Sequence, residues 1–260
     1  WCIKTDEIKR KISSRTKAIL IVHMFGHPAN IDEIKEIIKN KKIDLIEDAA
    51  ESHGSKFKNK VVGSFGKISC FSFYVNKLIT TGEGGMALTN DKGLYNKMKN
   101  LRNLAFNKTR RFSHNEIGYN YRISNVLAAI GLGQIEQIDK KIKIRRKNFS
   151  LYKKYLNNIE EISFLEEPLN FYSNRWITTI LVSSQNGFCK EKIIRKLREN
   201  KIESRPIWKP MHLQPLYKQY KFYNNNSSEK LFNLGLCLPS GTTLTEEQIS
   251  KISQIIISSK

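Results

Sequence analysis

The residues with the most chemistry to offer lie in three short segments, EDAAESHG (Glu47 to Gly54), SFYVNK (Ser72 to Lys77) and TTGEGG (Thr80 to Gly85). They supply a carboxylate at Asp48, an amine at Lys77, a hydroxyl at Ser72 and a glycine-rich turn. Singly, each has a bland reading. An acid after a strand is usually a cap or turn residue, a lysine in so basic a chain is usually solvated, and glycines shape turns. Jointly they match what an aldehyde-bearing pyridine phosphate requires: an amine to bond the aldehyde, an acid to keep the ring nitrogen protonated, and hydroxyl and backbone N–H donors for the phosphate. That combination is the one pyridoxal phosphate (PLP) needs. An Asp48–pyridinium pair about 4 Å apart at an effective dielectric near 20 gains roughly 4 kcal/mol before desolvation, enough to hold the proton and keep the ring an electron sink.

Periodicity shows which elements must position these groups. Lys17 to Phe25 (KAILIVHMF) is a continuous apolar run that predicts a buried parallel strand. Asn30 then precedes IDEIKEIIKNKK, where Ile31, Ile34, Ile37 and Ile38 repeat at helical spacing, with acids in the first turn and lysines in the last. Ile43 to Glu47 supplies the next strand, completing a right-handed β-α-β unit and placing Asp48 just past a strand's carboxyl end, where open α/β sheets hold ligands. Strands at Ile68 to Phe73 and Gly85 to Thr89 flank the Lys77 loop, and Asp91 to Leu101 reads as a helix. After a polar and aromatic loop, Arg102 to Arg122, Ser124 caps a long helical stretch that continues, with room for a break, to Tyr155. Beyond it come a strand at Trp176 to Val182, a helix at Lys190 to Asn200, a short strand at Ile202 to Arg205 and a closing helix at Thr245 to Ile257. The fold class is therefore α/β, with the remainder of a large sheet domain over residues 1–138 and a small C-terminal α/β domain over 139–260.

Composition narrows the class further. With 260 residues and 40% hydrophobic content the chain can bury a substantial core. Its most apolar stretch, Ala18 to Phe25, is far too short to cross a bilayer. The start at Trp1 carries no secretory pattern and reads as a cut. Cys2, Cys70, Cys189 and Cys237 are scattered, which suggests neither a metal knuckle nor a redox pair but reduced, mostly buried thiols in a cytoplasmic protein. His23 and His27 have a spacing that can share a helix face, yet they sit in a strand-to-loop segment, so no metal site is expected. Lys+Arg of 45 against Asp+Glu of 24 gives +21, which invites a nucleic-acid reading. The lysines are spread along nearly every segment, and the one dense block, KKIKIRRK (Lys140 to Lys147), continues the apolar pattern of the preceding helix. A solvated helix face fits it better than a nucleic-acid patch, and the positive field favours small acidic substrates.

Together EDAAESHG, SFYVNK and TTGEGG resemble the active-site signature of the DegT/DnrJ/StrS sugar aminotransferases, a family of PLP enzymes of fold type I. VHMFGHP (Val22 to Pro28), GYNYRISN (Gly118 to Asn125), RPIWKPMHLQP (Arg205 to Pro215) and LPSG (Leu238 to Gly241) extend the resemblance over essentially the whole chain. It implies that Lys77 is the Schiff-base lysine and afterwards carries the proton between substrate and cofactor. It also implies that Asp48 pairs with the pyridine nitrogen, that Glu51, where many relatives have Gln, lies near the ring and its phenolic oxygen, and that Ser72 binds the phosphate. The Asn of GYNYR reaches the phosphate of a neighbouring subunit in this family, so Asn120 implies a homodimer with shared sites. Val75 and Leu78 depart from the glycine and the Thr or Ile common at those places, and the family's N-terminal phosphate loop and stacking aromatic ring are missing.

Within the family, RNLAFNKTRRFSHNEIGYNYRISN, PMHLQP and LPSGTTLTEEQ most resemble the perosamine-type members. These aminate the 4-keto position of nucleotide-linked 6-deoxysugars, with glutamate as donor, for surface polysaccharide or glycan synthesis. A nucleotide diphosphate and a dicarboxylate both want cationic donors, and Arg205, Lys209, His212, Arg110 and Arg111 stand in loops. Arg205 and His212 are the substrate-binding candidates, because RPIWKPMH combines rigid prolines with polar groups. Three rivals remain: a dehydratase of the same family, in which histidine replaces the lysine; a non-catalytic or truncated relative; and a basic nucleic-acid-binding module.

Overall fold

The computed structural model describes every residue except 108, 111, 185, 186, 224 and 225. The chain forms two compact units, one of Cys2–Asp139 with Asn170–Ser173, the other of Trp1, Lys140–Leu169 and Asn174–Lys260.

The first unit runs α1 (Thr5–Lys11), β1 (Ala18–Val22), α2 (Ile31–Ile38), β2 (Asp44–Asp48), the short β3 (Lys56–Phe57) and β4 (Lys60–Val61), then β5 (Ile68–Ser72), β6 (Gly85–Leu88), α3 (Lys92–Leu101) and α4 (Asn125–Ile135). Its main sheet has the order β1-β2-β5-β6, parallel except for β6. Side chains alternate across a strand. Ile19, Ile21 and Leu45 therefore face a core closed by Ile8 of α1 and by Ile31, Ile34 and Ile37 of α2, whereas Leu20 and Cys70 are exposed. Two expectations are corrected by this alternation. The first strand is covered on one side only, and of the four cysteines only Cys237 is buried, with no disulfide among the described residues.

Local chemistry sets the helix starts. The side chains of Asn30, Asp91 and Ser124 accept from Glu33 N, Leu94 N and Leu127 N. The lysine tail after Ile38 stays outside α2, because Lys39 is already non-helical (ψ 133°). The first strand also stops earlier than its apolar run suggests. After Val22 the chain enters a 3₁₀ turn, Met24–Gly26, with Phe25 left-handed at φ 54°, so hydrophobicity continues while the backbone turns.

The second unit contains α5 (Ile138–Leu156) and β7 (Ile162–Phe164). The next strand, β8 (Phe171–Tyr172), belongs to the first unit, where it pairs with β3. Then follow β9 (Thr178–Val182), α6 (Lys190–Glu199), β10 (Arg205–Pro206), α7 (Ser227–Leu234), β11 (Gly235–Leu238) and α8 (Glu246–Ile257). Its sheet is antiparallel, β10-β11-β9-β7, around Tyr152, Ile180, Phe188, Leu197, Leu236 and Ile249. The long helical stretch breaks between Ile135 and Ile138, and the strand expected from Ile202 is confined to Arg205–Pro206.

Candidate active site

The site sits where β2 and β5 end. Asp48 lies on the open side of the sheet, its carboxylate accepting Ala50 N–H (3.0 Å), and its register partner is Cys70. Its predecessor Glu47 points the other way and is fully buried. Glu47 accepts backbone N–H bonds from Gly63 (2.7 Å), Phe65 (2.7 Å) and Gly66 (2.5 Å) and contacts His23 Nε2 (3.0 Å). Ala29 N–H donates to His23 Nδ1, which leaves the ring proton on Nε2 facing Glu47. Burial alone would raise the Glu47 carboxyl, but the bonds from His23 and the backbone outweigh it and hold it below the usual range. This buried carboxylate fastens β1, β2 and the 63–66 loop beneath Asp48.

Lys77 rises from a loop that folds back on itself. Lys77 N–H bonds Tyr74 O, Thr81 N–H bonds Phe73 O, Phe73 N–H bonds Gly84 O, and Thr80 Oγ1 bonds Phe73 O. Leu78 and Ile79 are buried and anchor the loop, while Val75 is exposed. Gly84 adopts φ 110°, which side chains rarely tolerate, and a Cβ on Gly85 would come within 2.7 Å of Phe71 O. From α4, Gln134 accepts Thr80 N–H (3.3 Å) and donates to Thr80 O (2.5 Å), a two-point splint on the segment just after the lysine.

The amine and two acids meet here. Lys77 Nζ stands 3.9 Å from Glu51 Oε1, with both side chains 12% exposed. Burial pulls the lysine below its ordinary basicity, opposed first by Glu51 and then by Asp48. Glu51 Oε2 accepts Phe25 N–H at 2.7 Å, so the left-handed turn after β1 holds one carboxylate oxygen and leaves the other toward Lys77. His53 is buried between Phe71 (5.2 Å) and Phe73 (5.9 Å). Burial, and next the charge of Lys77, lower its pKa from 6.5 to about 4, so it is neutral near pH 7. Ser72 ends β5, its hydroxyl accepting Tyr74 N–H at 3.2 Å.

Asn120 is exposed in the first unit and bridges Asn103 through the backbone. Arg205 and His212 belong to the second unit, each beside a carboxylate: Arg205 binds Glu203 (2.6 Å), and His212 binds Glu229 (2.9 Å) and stacks on Phe222 at 4.4 Å. Arg110 and Lys209 are exposed, and Arg111 lies outside the described residues. Glu47, His53 and Gln134 were not singled out from sequence. Glu47 and His53 stand inside the EDAAESHG segment and carried that much signal, whereas nothing local marks Gln134.

Several known proteins resemble this chain over nearly all of its length. GDP-perosamine synthase of Escherichia coli O157:H7 is 40% identical over 256 residues, 98% of this chain and 69% of that protein. The solved structure of the aminotransferase PseC of Helicobacter pylori, involved in the biosynthesis of pseudoaminic acid, superposes with a TM-score of 0.92 at 27% identity, covering 99% of this chain and 70% of its own. GDP-4-keto-6-deoxy-D-mannose-3-dehydratase of E. coli, solved with bound hydrated PLP, gives 0.88 at 26% identity over 98% of this chain and 71% of its own. The chain thus spans about two thirds of the length of these relatives. Residues 1–257 match the DegT/DnrJ/EryC1/StrS aminotransferase family, and the chain belongs to that family.

Proposed function

We propose that this protein is a PLP-dependent aminotransferase that moves an amino group from glutamate to a nucleotide-linked 4-keto-6-deoxysugar of the perosamine type. The observation that carries the reading is a half-buried lysine amine flanked by two carboxylates at the carboxyl ends of parallel strands, in a chain 40% identical to a GDP-perosamine synthase. The donor set fits PLP: an amine of lowered basicity, a carboxylate on the open sheet face, and a serine hydroxyl with a glycine-rich turn. When bound, PLP supplies the electron sink for transamination.

The chain's own residues do the rest. Lys77 offers an amine that burial helps to keep neutral, as covalent attachment and proton transfer both require. Asp48 would hold a proton on the ring nitrogen of bound PLP, Glu51 would stand near its phenolic oxygen, and Ser72 with the glycine-rich turn would supply donors to its phosphate. Neutral His53 fills the floor without adding a competing charge. Arg205 and His212 are the proposed substrate-binding side chains. Residues 1–138 act as the PLP-binding domain and 139–260 as the small domain.

We read the assembly as a homodimer in which Asn120 reaches the partner's phosphate. The support is α4, whose eleven residues include no charged one while Val126 and Leu132 are 71% and 60% exposed. The scattered spacing of the four cysteines along the sequence supports a reducing, cytoplasmic setting. Among the described residues no helix is long and apolar enough to cross a membrane. Lys77 also weighs against the dehydratase reading, which expects histidine at that position.

The test offers nucleotide-linked 4-keto sugars with glutamate and scores the amino product by mass. The expected result is one sugar gaining an amine as 2-oxoglutarate accumulates, with Lys77→Ala inactive. A panel returning only deoxygenated sugar would replace this reading with the dehydratase.

A further inference from the structure

Two carboxylates act on Lys77, but the structure treats them differently. Asp48 spends an oxygen on the Ala50 N–H of its own turn (3.0 Å). Glu51 is clamped from the far side: Oε2 takes the N–H of Phe25, whose left-handed conformation (φ 54°) aims that donor out of the β1 turn, and Oε1 is left 3.9 Å from the lysine Nζ. A non-glycine residue with positive φ persists only where its surroundings hold it, so the clamp is built into the end of β1. At 12% exposure on both sides, water screens this pair weakly.

We propose that Glu51 is the counter-charge of Lys77, holding a proton on the amine in the cofactor-free site and thereby setting the pH at which the lysine becomes a nucleophile. The inference deepens the aminotransferase reading and rests on it only for its consequence, since the protonation of Lys77 exists without any cofactor. An ammonium has no lone pair for an aldehyde carbon; the amine must first release its proton, and a fixed carboxylate beside it makes that release harder. The ionisable groups around the amine are Glu51 and Asp48, which favour the charged form, and His53, which is neutral near pH 7; burial is the largest influence and favours the neutral amine, so the two acids restore part of the basicity that burial removes. Of the two acids Glu51 exerts the larger effect. With glutamine at this position the neighbour would have the same shape and still accept from Phe25, but would carry no charge.

The experiment follows competitive acetylation of Lys77 in the cofactor-free full-length protein across pH, read by mass spectrometry of its peptide. Glu51→Gln should move the half-labelling point to lower pH and speed labelling at pH 7.5 by about tenfold, a shift of one pKa unit. Asp48→Asn should move it less. Glu51→Ala should match Glu51→Gln in labelling but also speed amide exchange at Phe25, separating charge from clamp. A Glu51→Gln profile that overlays the unmodified protein overturns the proposal, as does a larger shift in Asp48→Asn. Should the protein prove not to be an aminotransferase, the sugar panel would fail while this labelling result stood.

Discussion

At the scale of single residues the site works by charge placed at a boundary between buried and open. Asp48 and Glu47 are neighbours in sequence, yet strand alternation sends one to the open face and the other into a fully satisfied buried network. If Asp48 has the proposed role, Asp48→Asn should therefore leave the fold intact and lower transamination by roughly a hundredfold or more, because it removes the charge that would face the ring nitrogen while keeping the side chain's shape. Circular dichroism and steady-state rates check both halves, and an unchanged rate would remove Asp48 from its role. His53 gives a second expectation with a definite sign. Its folded-state pKa of about 4 lies below the ordinary 6.5, so between those values the unfolded chain takes up a proton that the folded chain refuses. Stability from this residue is complete above about pH 6.5 and is lost as pH falls toward 4. Urea unfolding at pH 7 and pH 5 should show the natural protein losing about 2 kcal/mol more than His53→Leu over that interval. Equal losses would mean that His53 is not buried neutral.

Between residues and the whole lie the elements, and here legibility from sequence divides sharply. The strands and helices of the Lys77 region were readable because each carries a local signal: a β-branched apolar run for β1 and β2, the Asn30, Asp91 and Ser124 caps for α2, α3 and α4, and isoleucines at helical spacing. The grouping of Lys77 with Asp48 came from the combined motifs and the family resemblance and not from periodicity, because the β-α-β pattern pairs β1 with β2, whereas β2 and β5 are joined through the two-residue strands β3 and β4. Where hydrophobicity and backbone part company the reading failed, as at Met24–Gly26, whose apolar residues form a turn rather than strand. Strands β3, β4 and β8 are two residues each, too short to show any period. Gln134 was invisible for another reason: its role is a pair of hydrogen bonds to the Thr80 backbone, far away in sequence, and any polar residue on an exposed helix looks alike. Gln134→Ala should accordingly cost about 1–2 kcal/mol and speed amide exchange at Thr80 and Thr81, while the strand amides keep their protection. Unaltered exchange there would show that Leu78 and Ile79 anchor the loop unaided.

For the whole molecule, the sequence indicated the kind of chemistry but not the meaning of its charge. A formal +21 on 260 residues makes any two copies repel, and α4, read from sequence as the start of one long helical stretch capped by Ser124, has no buried residue and no charged one. If α4 pairs two copies, its contribution is apolar burial, which salt leaves largely intact, while salt screens the repulsion between the two positive bodies over the roughly 10 Å Debye length at 0.1 M. Dimerisation of the full-length protein should therefore strengthen from low to moderate ionic strength, the reverse of an interface made of ion pairs. Leu132→Lys, which adds a charge at a 60% exposed position on that helix, should shift the protein toward monomer in sedimentation without altering its circular dichroism. The monomer should also retain PLP less well, because Asn120 would then have no partner phosphate to reach. A Leu132→Lys protein that remains dimeric at every salt concentration would place the subunit contact elsewhere and leave the exposure of α4 to be explained by another cover.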